Sequence, residues 1–235
     1  MLLPGNDAIF VEEFPCVYFT DGRMATVEYL ITDTEAMHSF HHYLATGYRR
    51  LGRTFYRNIC RGCAECVPIR IPVDSFSPSR SQKRAGRMNA DVRVVVRPPG
   101  ELTPGRIALF REYLIAKHDK EKEEPNPDYA FQLRIIHLGY AHTIEMDYYL
   151  DGRLIGVGIV DSGRDALSAN YFYYDTDLLK RRPGVFSVLQ EIALAQTLGK
   201  RYYYLGFMIA SNQKMSYKKD FRPQEMYRNG LWHPA

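Results

Sequence analysis

Three cysteines, Cys60, Cys63 and Cys66, stand at i, i+3 and i+6, and Cys16 is the only other cysteine in the chain. Thiolates at that spacing in one loop are soft-metal ligands, and four of them can close a site for zinc or an iron–sulfur cluster. The same residues also read as unliganded thiols in a tight turn, with Cys16 buried as a small hydrophobe. Next comes an apolar run, Val67 to Val73, that carries Arg70 between two prolines. Then follow Arg80, Lys83, Arg84 and Arg87 on a predicted helix capped by Ser79 or Ser81. Cations so gathered attract phosphates. A cysteine knuckle beside a basic helix points to a nucleic acid.

Two weaker constellations lie elsewhere. His38 and His42 are at i, i+4 on a predicted helix, but no third ligand accompanies them, and helix-surface histidines are ordinarily solvated. Lys180-Arg181-Arg182-Pro183-Gly184 leads into a helix predicted over 185 to 198. Its free amides and dipole make a candidate anion site. The plain alternative is a basic loop before a proline-started helix.

The chain has 235 residues, 46% hydrophobic and 25% charged, which allows one large or two small domains. No apolar run approaches the ~18 residues of a membrane span. The start of the chain lacks the basic region of a signal peptide. The expectation is a cytoplasmic protein with no membrane partner, in a compartment where disulfides are rare. A net charge of +4 argues only weakly for a polyanionic partner. Its placement says more: across residues 47 to 93, rich in Arg and Lys, the only acids are Glu65, Asp74 and Asp91.

The elements that must position these groups can be read in order. Residues 8 to 32 predict two or three strands around the turn at Asp21-Gly22. Thr34 caps a helix predicted from Glu35 to Leu51, and Arg49, Arg50, Arg53 and Arg57 follow as a solvated face or part of the basic segment. A strand is predicted over 91 to 97 and a helix from Pro104 to about Lys117. Residues 117 to 129 read as a charged surface loop. The second half predicts a hairpin over 143 to 160, a third strand over 166 to 174, the helix above, a strand over 201 to 207, and a basic helix or turn over 211 to 222. Three antiparallel strands, a helix opening on a phosphate-like site and a further strand suggest an α+β, acetyltransferase-like (GNAT-type) fold, by analogy alone. The expected division is 1–100, Cys-containing and basic, and 101–235, the transfer domain.

Beyond these readings, the chain resembles a known family, the tRNA-dependent N-terminal aminoacyl transferases: the arginyl-tRNA–protein transferases and their bacterial leucyl-transferring branch. The resemblance rests on FPCVYFTDGR (14 to 23), FYRNICRGCAECVPIRIPVDSFSPSRSQKRAGRMN (55 to 89), DGRLIGVGIVDSGRDALSANYFYYD (151 to 175) and YYLGFMIASNQKMSYKKDFRP (203 to 223). It implies transfer of Leu or Arg from a charged tRNA to the α-amino group of a protein beginning with Asp or Glu. The product would be marked for N-degron proteolysis. The partners implied are aminoacyl-tRNA and such proteins, with no DNA. The ester is already activated, so no cofactor is required for transfer.

Within that resemblance, Tyr204, Tyr217 and Lys218 are candidate donors to the tetrahedral oxyanion. Asp175 would orient the amine. Arg70, Arg80, Lys83 and Arg84 would bind the acidic acceptor, or grip the tRNA instead. Arg87, Arg181, Arg182, Lys214 and Lys219 are candidates for tRNA phosphates. The segment 130 to 142 would line the aminoacyl pocket. Pro183 departs from the family's loop and removes one amide donor there. Two rival readings stand beside this one: a non-catalytic RNA-binding module, and an acyl-CoA-dependent N-acetyltransferase.

Overall fold

The computed structural model describes residues 8–31, 40–118, 128–137, 142–212 and 215–235. Strands β1 (Ala8–Pro15), β2 (Met24–Ile31), β3 (Arg49–Leu51) and β4 (Thr54–Asn58) form a small antiparallel sheet in the order β1-β2-β4-β3. A large sheet takes β5 (Val67–Pro72), β6 (Arg93–Arg97), β7 (Thr143–Leu150), β8 (Arg153–Ser162), β9 (Ala166–Tyr174), β10 (Tyr202–Met208), β11 (Glu225–Arg228) and β12 (Leu231–Pro234). Its order is β12-β11-β5-β10-β9-β8-β7-β6. Strands β5 and β6 come from the first hundred residues, so no sheet boundary falls near residue 100.

The helices are α1 (Phe40–Ala45), α2 (Arg80–Met88), α3 (Pro104–His118), α4 (Tyr129–His137) and α5 (Pro183–Thr197). Among the described residues, no helix is long and apolar enough to cross a membrane. Helix α5 is the crossover that lets β9 and β10 run parallel, the only parallel pair among the described residues. That pairing covers only Tyr202–Tyr204 against Ala166–Ser168. A bulge between Tyr204 and Gly206 then turns β10 away, and the sheet forks.

Side chains of β10 alternate between two cores, as a strand requires. Tyr203 and Leu205 pack with Phe186, Val188 and Ile192 of α5. Tyr204 packs on the other face with Phe40, Tyr43 and Phe55. A third cluster joins Phe110 and Leu114 of α3 to Leu133 and Ile136 of α4 over Val157, Ile159 and Tyr173.

The helix expected from Glu35 to Leu51 ends earlier than expected. α1 ends at Ala45, and Arg49–Leu51 is a strand paired with Thr54–Tyr56. Gly47, at φ +85, closes the helix, with its amide bonded to the Leu44 carbonyl. The part before Phe40, with His38, lies outside the described residues; His42 is exposed on α1. The four arginines expected as one face are not all solvated. Arg50 is buried and pairs with Asp161 of β8 at 2.6 Å, each side chain 1% exposed, tying the small sheet to the large one. Residues 8 to 31 give two strands.

Candidate active site and its flanking cavities

Where β9 and β10 part, each strand is left with backbone carbonyls that its neighbour no longer satisfies. A cation from elsewhere serves each lip. Arg49 Nη2 donates to the carbonyls of Ala169 and Asn170 on β9. Lys218 Nζ donates to the carbonyls of Leu205 (3.0 Å) and Phe207 (2.9 Å) on β10. Gly206 sits between them at φ +89, and a Cβ there would collide with the Arg49 guanidinium, so conformation and space both ask for glycine. Arg49 Nη1 is buried with no hydrogen-bond partner.

Beneath the fork lies Glu191 of α5, 2% exposed. It accepts hydrogen bonds from Ser187 Oγ and Tyr203 OH, both at 2.6 Å. Burial pushes its carboxyl up to about 7, although those two hydroxyls, Arg49 and Lys218 pull it back. The Lys218 ammonium is pushed down to about 7, chiefly by burial and then by Arg49, with Glu191 opposing. Burial and then Glu191 push the Tyr217 phenol well above its ordinary range, so it stays a proton donor. The Lys218 geometry has a chemical consequence. A neutral amine spends its two N–H groups on the two carbonyls and keeps its lone pair free; an ammonium has one N–H left over.

Two cavities flank this junction. The first, about 440 Å³, is lined by Ser79, Ser81, Gln82, Arg182, Val185 and Tyr217, with Lys219, Asp220, Phe221 and Arg222 completing it. Helix α2 forms one wall because Ser79 and Gln82 make a capping box, and Gln82 Nε2 donates to the Asp220 carbonyl (3.1 Å). The second cavity, about 420 Å³, lies between the small sheet and the β11–β12 hairpin. Its wall includes Arg57, Asn58, Cys60, Cys63, Cys66, Phe207, Tyr227 and Arg228. Lys218 lines neither cavity itself and links their walls: its neighbours Tyr217 and Lys219 line the first, and Phe207, whose carbonyl it holds, lines the second.

Tyr217 and Lys218 come together at the fork. Tyr204 lies across the sheet, where its hydroxyl meets Arg70 Nη1 at 3.1 Å. Arg70 is already engaged: Nε donates to Glu225 (2.6 Å), and its guanidinium lies over the rings of Tyr202 (3.8 Å) and Trp232 (4.3 Å). Asp175 accepts from the Asp177 amide (2.9 Å) and pairs with Arg153 (2.6 Å), capping the 3-10 turn Thr176–Arg181.

Arg80, Lys83, Arg84 and Arg87 are exposed on α2, while Gln82 and Ala85 face inward. The side chains of Arg181 and Arg182 turn toward the α2 segment and not toward the start of α5. Arg181 grips Asp91 through two nitrogens (2.7 and 2.8 Å), and Arg182 bonds Ser81 (2.8 Å). Lys219 lines the first cavity, and Lys214 lies outside the described residues. Helix α4, expected at the aminoacyl pocket, buries Leu133, Ile136 and His137 instead; among the described residues it lines neither cavity.

The four thiols are free and share one neighbourhood. Burial, then Cys60, Cys16 and Cys63, push the Cys66 thiol up to about 12. Cys60 Sγ bonds the Thr26 amide (3.3 Å), and Cys63 Sγ accepts from Arg23 (3.5 Å). Among the described residues no three Cys, His, Asp or Glu converge closely enough to hold a metal ion, so the thiols are gathered without forming a coordination shell.

Sequence reasoning misses Arg49 and Glu191 as site residues. Glu191 carries a signal, a lone acid inside the apolar stripe of α5. Arg49 carries none, because its role depends on a contact with β9, 120 residues away.

A sheet forked between two parallel strands that a helix connects, with a polar junction at the fork, defines an acetyltransferase-like acyl-transfer fold. Solved structures agree on the fold. "Crystal structure of FemX" matches with a TM-score of 0.52 at 8% identity, covering 89% of this chain and 71% of that one. "The structure of L-PGS from Bacillus licheniformis" matches at 0.50 and 11% identity, covering 92% and 81%. The family models "Arginine-tRNA-protein transferase, N terminus" and "C terminus" match residues 14–84 and 105–228. The chain is 38% identical over 223 residues to the aspartate/glutamate leucyltransferase of Nitrosococcus oceani, covering 93% of this chain and 91% of that protein. It is 32% identical to that of Pseudoalteromonas atlantica over 221 residues, 94% of each. The chain belongs to the arginine-tRNA–protein transferase family.

Proposed function

We propose that this protein transfers a leucyl group from leucyl-tRNA to the α-amino group of proteins that begin with Asp or Glu, marking them for proteolysis. The observation that carries the reading is the position of Lys218, held on two β10 carbonyls at the fork and linking the walls of two cavities. Family membership supplies the reaction class. The relatives' names favour leucine.

The first cavity receives the end of the donor tRNA. The exposed row Arg80, Lys83, Arg84 and Arg87 runs beside it as a phosphate track. Lys219 lines it, and Arg181 and Arg182 fix its walls. In the transfer, the amine nitrogen bonds to the ester carbonyl carbon and the bond from that carbon to the ribose oxygen breaks. The amine's proton passes to neutral Lys218 and on to the departing ribose oxygen. Tyr217 donates to the oxyanion. Tyr204 with Arg70, and Asp175 with Arg153, support the two strands that carry the site. A zinc ion or iron–sulfur cluster on Cys16, Cys60, Cys63 and Cys66 would require the thiols to stand closer together than they do here; its role would be structural, and no step runs through it.

The alternative of an acyl-CoA-dependent acetyltransferase is less well supported. An extended acyl carrier entering the fork would pair with the β10 backbone, and Lys218 already occupies its carbonyls. A purely RNA-binding role leaves the Lys218–Glu191 arrangement without a use.

The test offers charged leucyl-tRNA, charged arginyl-tRNA and acetyl-CoA in parallel to peptides that start with Asp, Glu, Gln or Lys. Leucyl transfer confined to Asp and Glu peptides is expected. Acetylation without aminoacyl transfer would overturn the assignment.

A further inference from the structure

We infer that the second cavity is the acceptor site, and that Arg228 reads the carboxylate of the N-terminal Asp or Glu. This deepens the proposed function and rests on it for the identity of the acceptor.

The cavity's chemistry suits a short carboxylate. Its lining holds two arginines, Arg57 and Arg228, and no Asp or Glu. Arg57 is committed elsewhere: its Nε donates to Glu28 (2.7 Å), and its guanidinium lies 4.6 Å from the centre of the Tyr48 ring. Arg228 is exposed at the end of β11 and makes no ion pair among the described residues. It is therefore the charge left to pair with a ligand. A guanidinium can take both oxygens of a carboxylate, which is the geometry needed to separate Glu from Gln.

The rest of the wall is firm. The turn after Arg228 is Asn229-Gly230, both at positive φ (53 and 81), which holds a tight two-residue hairpin. Gly47 lets the Tyr227 ring lie against the backbone, where a Cβ would stand 2.7 Å from the ring. Asn58 and Asn229 line the space, and an amide oxygen can accept from an α-amine. The position is also right. Phe207 lines the cavity and its carbonyl is bonded by Lys218, whose chain neighbours Tyr217 and Lys219 line the donor cavity, so the two cavities meet through the segment that carries Lys218.

The same wall carries Cys60, Cys63 and Cys66, so the knuckle shapes the acceptor cavity while the basic helix α2 borders the other one. The sequence places these two features side by side; the fold sends them to different substrates.

The experiment compares wild type, Arg228→Gln and Arg80→Gln with Glu- and Gln-starting peptides, measuring transfer and, separately, binding of fluorescent Asp-starting peptide without tRNA. Arg228→Gln should raise KM for acidic peptides about 10- to 100-fold with little change in kcat, as loss of a charge-assisted pair predicts. The preference for Glu over Gln should collapse. Arg80→Gln should leave that preference intact. An unchanged preference in Arg228→Gln, or its collapse in Arg80→Gln, overturns the inference. Wild type that binds acidic peptide through Arg228 yet transfers nothing would sink the proposed reaction and leave the site standing. Wild type that binds no acidic peptide sinks the site.

Discussion

The two cavities beside β10 are nearly equal in size, about 440 and 420 Å³, and differ in what surrounds them. The donor-side cavity opens beside an exposed cationic helix whose capping box and Gln82–Asp220 contact anchor it to the segment that carries Lys218. The acceptor-side cavity has few charges, a wall of thiols and aromatic rings, and one unspent arginine. A polyanion with many phosphates is held by many exposed charges, each weak and screened by salt. A single carboxylate is held by one oriented guanidinium in a confined space. The contrast teaches that local charge density alone does not locate an acid-binding site.

The largest effect should come from the group that links the walls of the two cavities. Lys218→Ala removes the proton carrier and leaves the Leu205 and Phe207 carbonyls unserved. A fall in kcat of about 10²- to 10⁴-fold is expected, the range for loss of a general acid–base group, with tRNA binding little changed. Equal losses in tRNA binding and in turnover would move Lys218 out of the chemistry and into the donor site.

A second test separates the cavities by salt. The double substitution Lys83→Ala with Arg84→Ala should weaken tRNA binding about tenfold and lower the salt slope by roughly 0.7–0.9 for each phosphate no longer neutralised, without altering the peptide KM. A raised KM for acidic peptides with an unchanged salt slope would reassign α2 to the acceptor.

How much of this was legible in the sequence depends on how local each feature is. The hairpin at Asp151-Gly152, the start of α3 at Pro104 and the Ser79 cap followed from short-range rules. The end of α1 did not, because a glycine at positive φ and pairing of β3 with β4 cut short a pattern that continues in the sequence. The basic segment was legible as a set of charges but not as a partition. Arg50 is spent on Asp161, Arg70 on Glu225 and two rings, and Arg181 on Asp91. The ion pairs among them join residues 90 to 155 positions apart, beyond any spacing rule. The Lys218 motif is reached through resemblance; its place on the lips of a fork needs the bulge at Gly206 and the divergence of β9 and β10.

The acceptor side can also be probed without touching a charge. Gly47→Ala would drive a methyl group into the Tyr227 ring and strain a residue at φ +85. A several-fold rise in peptide KM is expected, with the tRNA KM unchanged, and titration of each substrate against the other held at saturation reads both. A rise in both KM values would mean that the ring supports the whole fork and not one cavity.

Glu191 sharpens the comparison from below, since it faces the junction and lines neither cavity. Its folded carboxyl sits near 7 against an ordinary 4.5, so between those values the folded chain holds a proton that the unfolded chain has lost. Stability from this group therefore falls as pH rises from about 4.5 to about 7. Lys218 works in the opposite sense and in the next window. Pushed down to about 7 from 10.5, it has lost a proton that the unfolded chain keeps, so stability rises with pH above 7. The two together set a shallow stability minimum near neutrality, where both groups change charge. Glu191→Gln should abolish the falling limb in a pH series of melting temperatures and keep the rising one. Removing the carboxylate's pull also lowers Lys218 further, so the pH at which kcat reaches half its plateau should move below about 7. An unmoved kcat profile with an altered melting series would leave Glu191 as a packing residue and detach it from the chemistry at the fork.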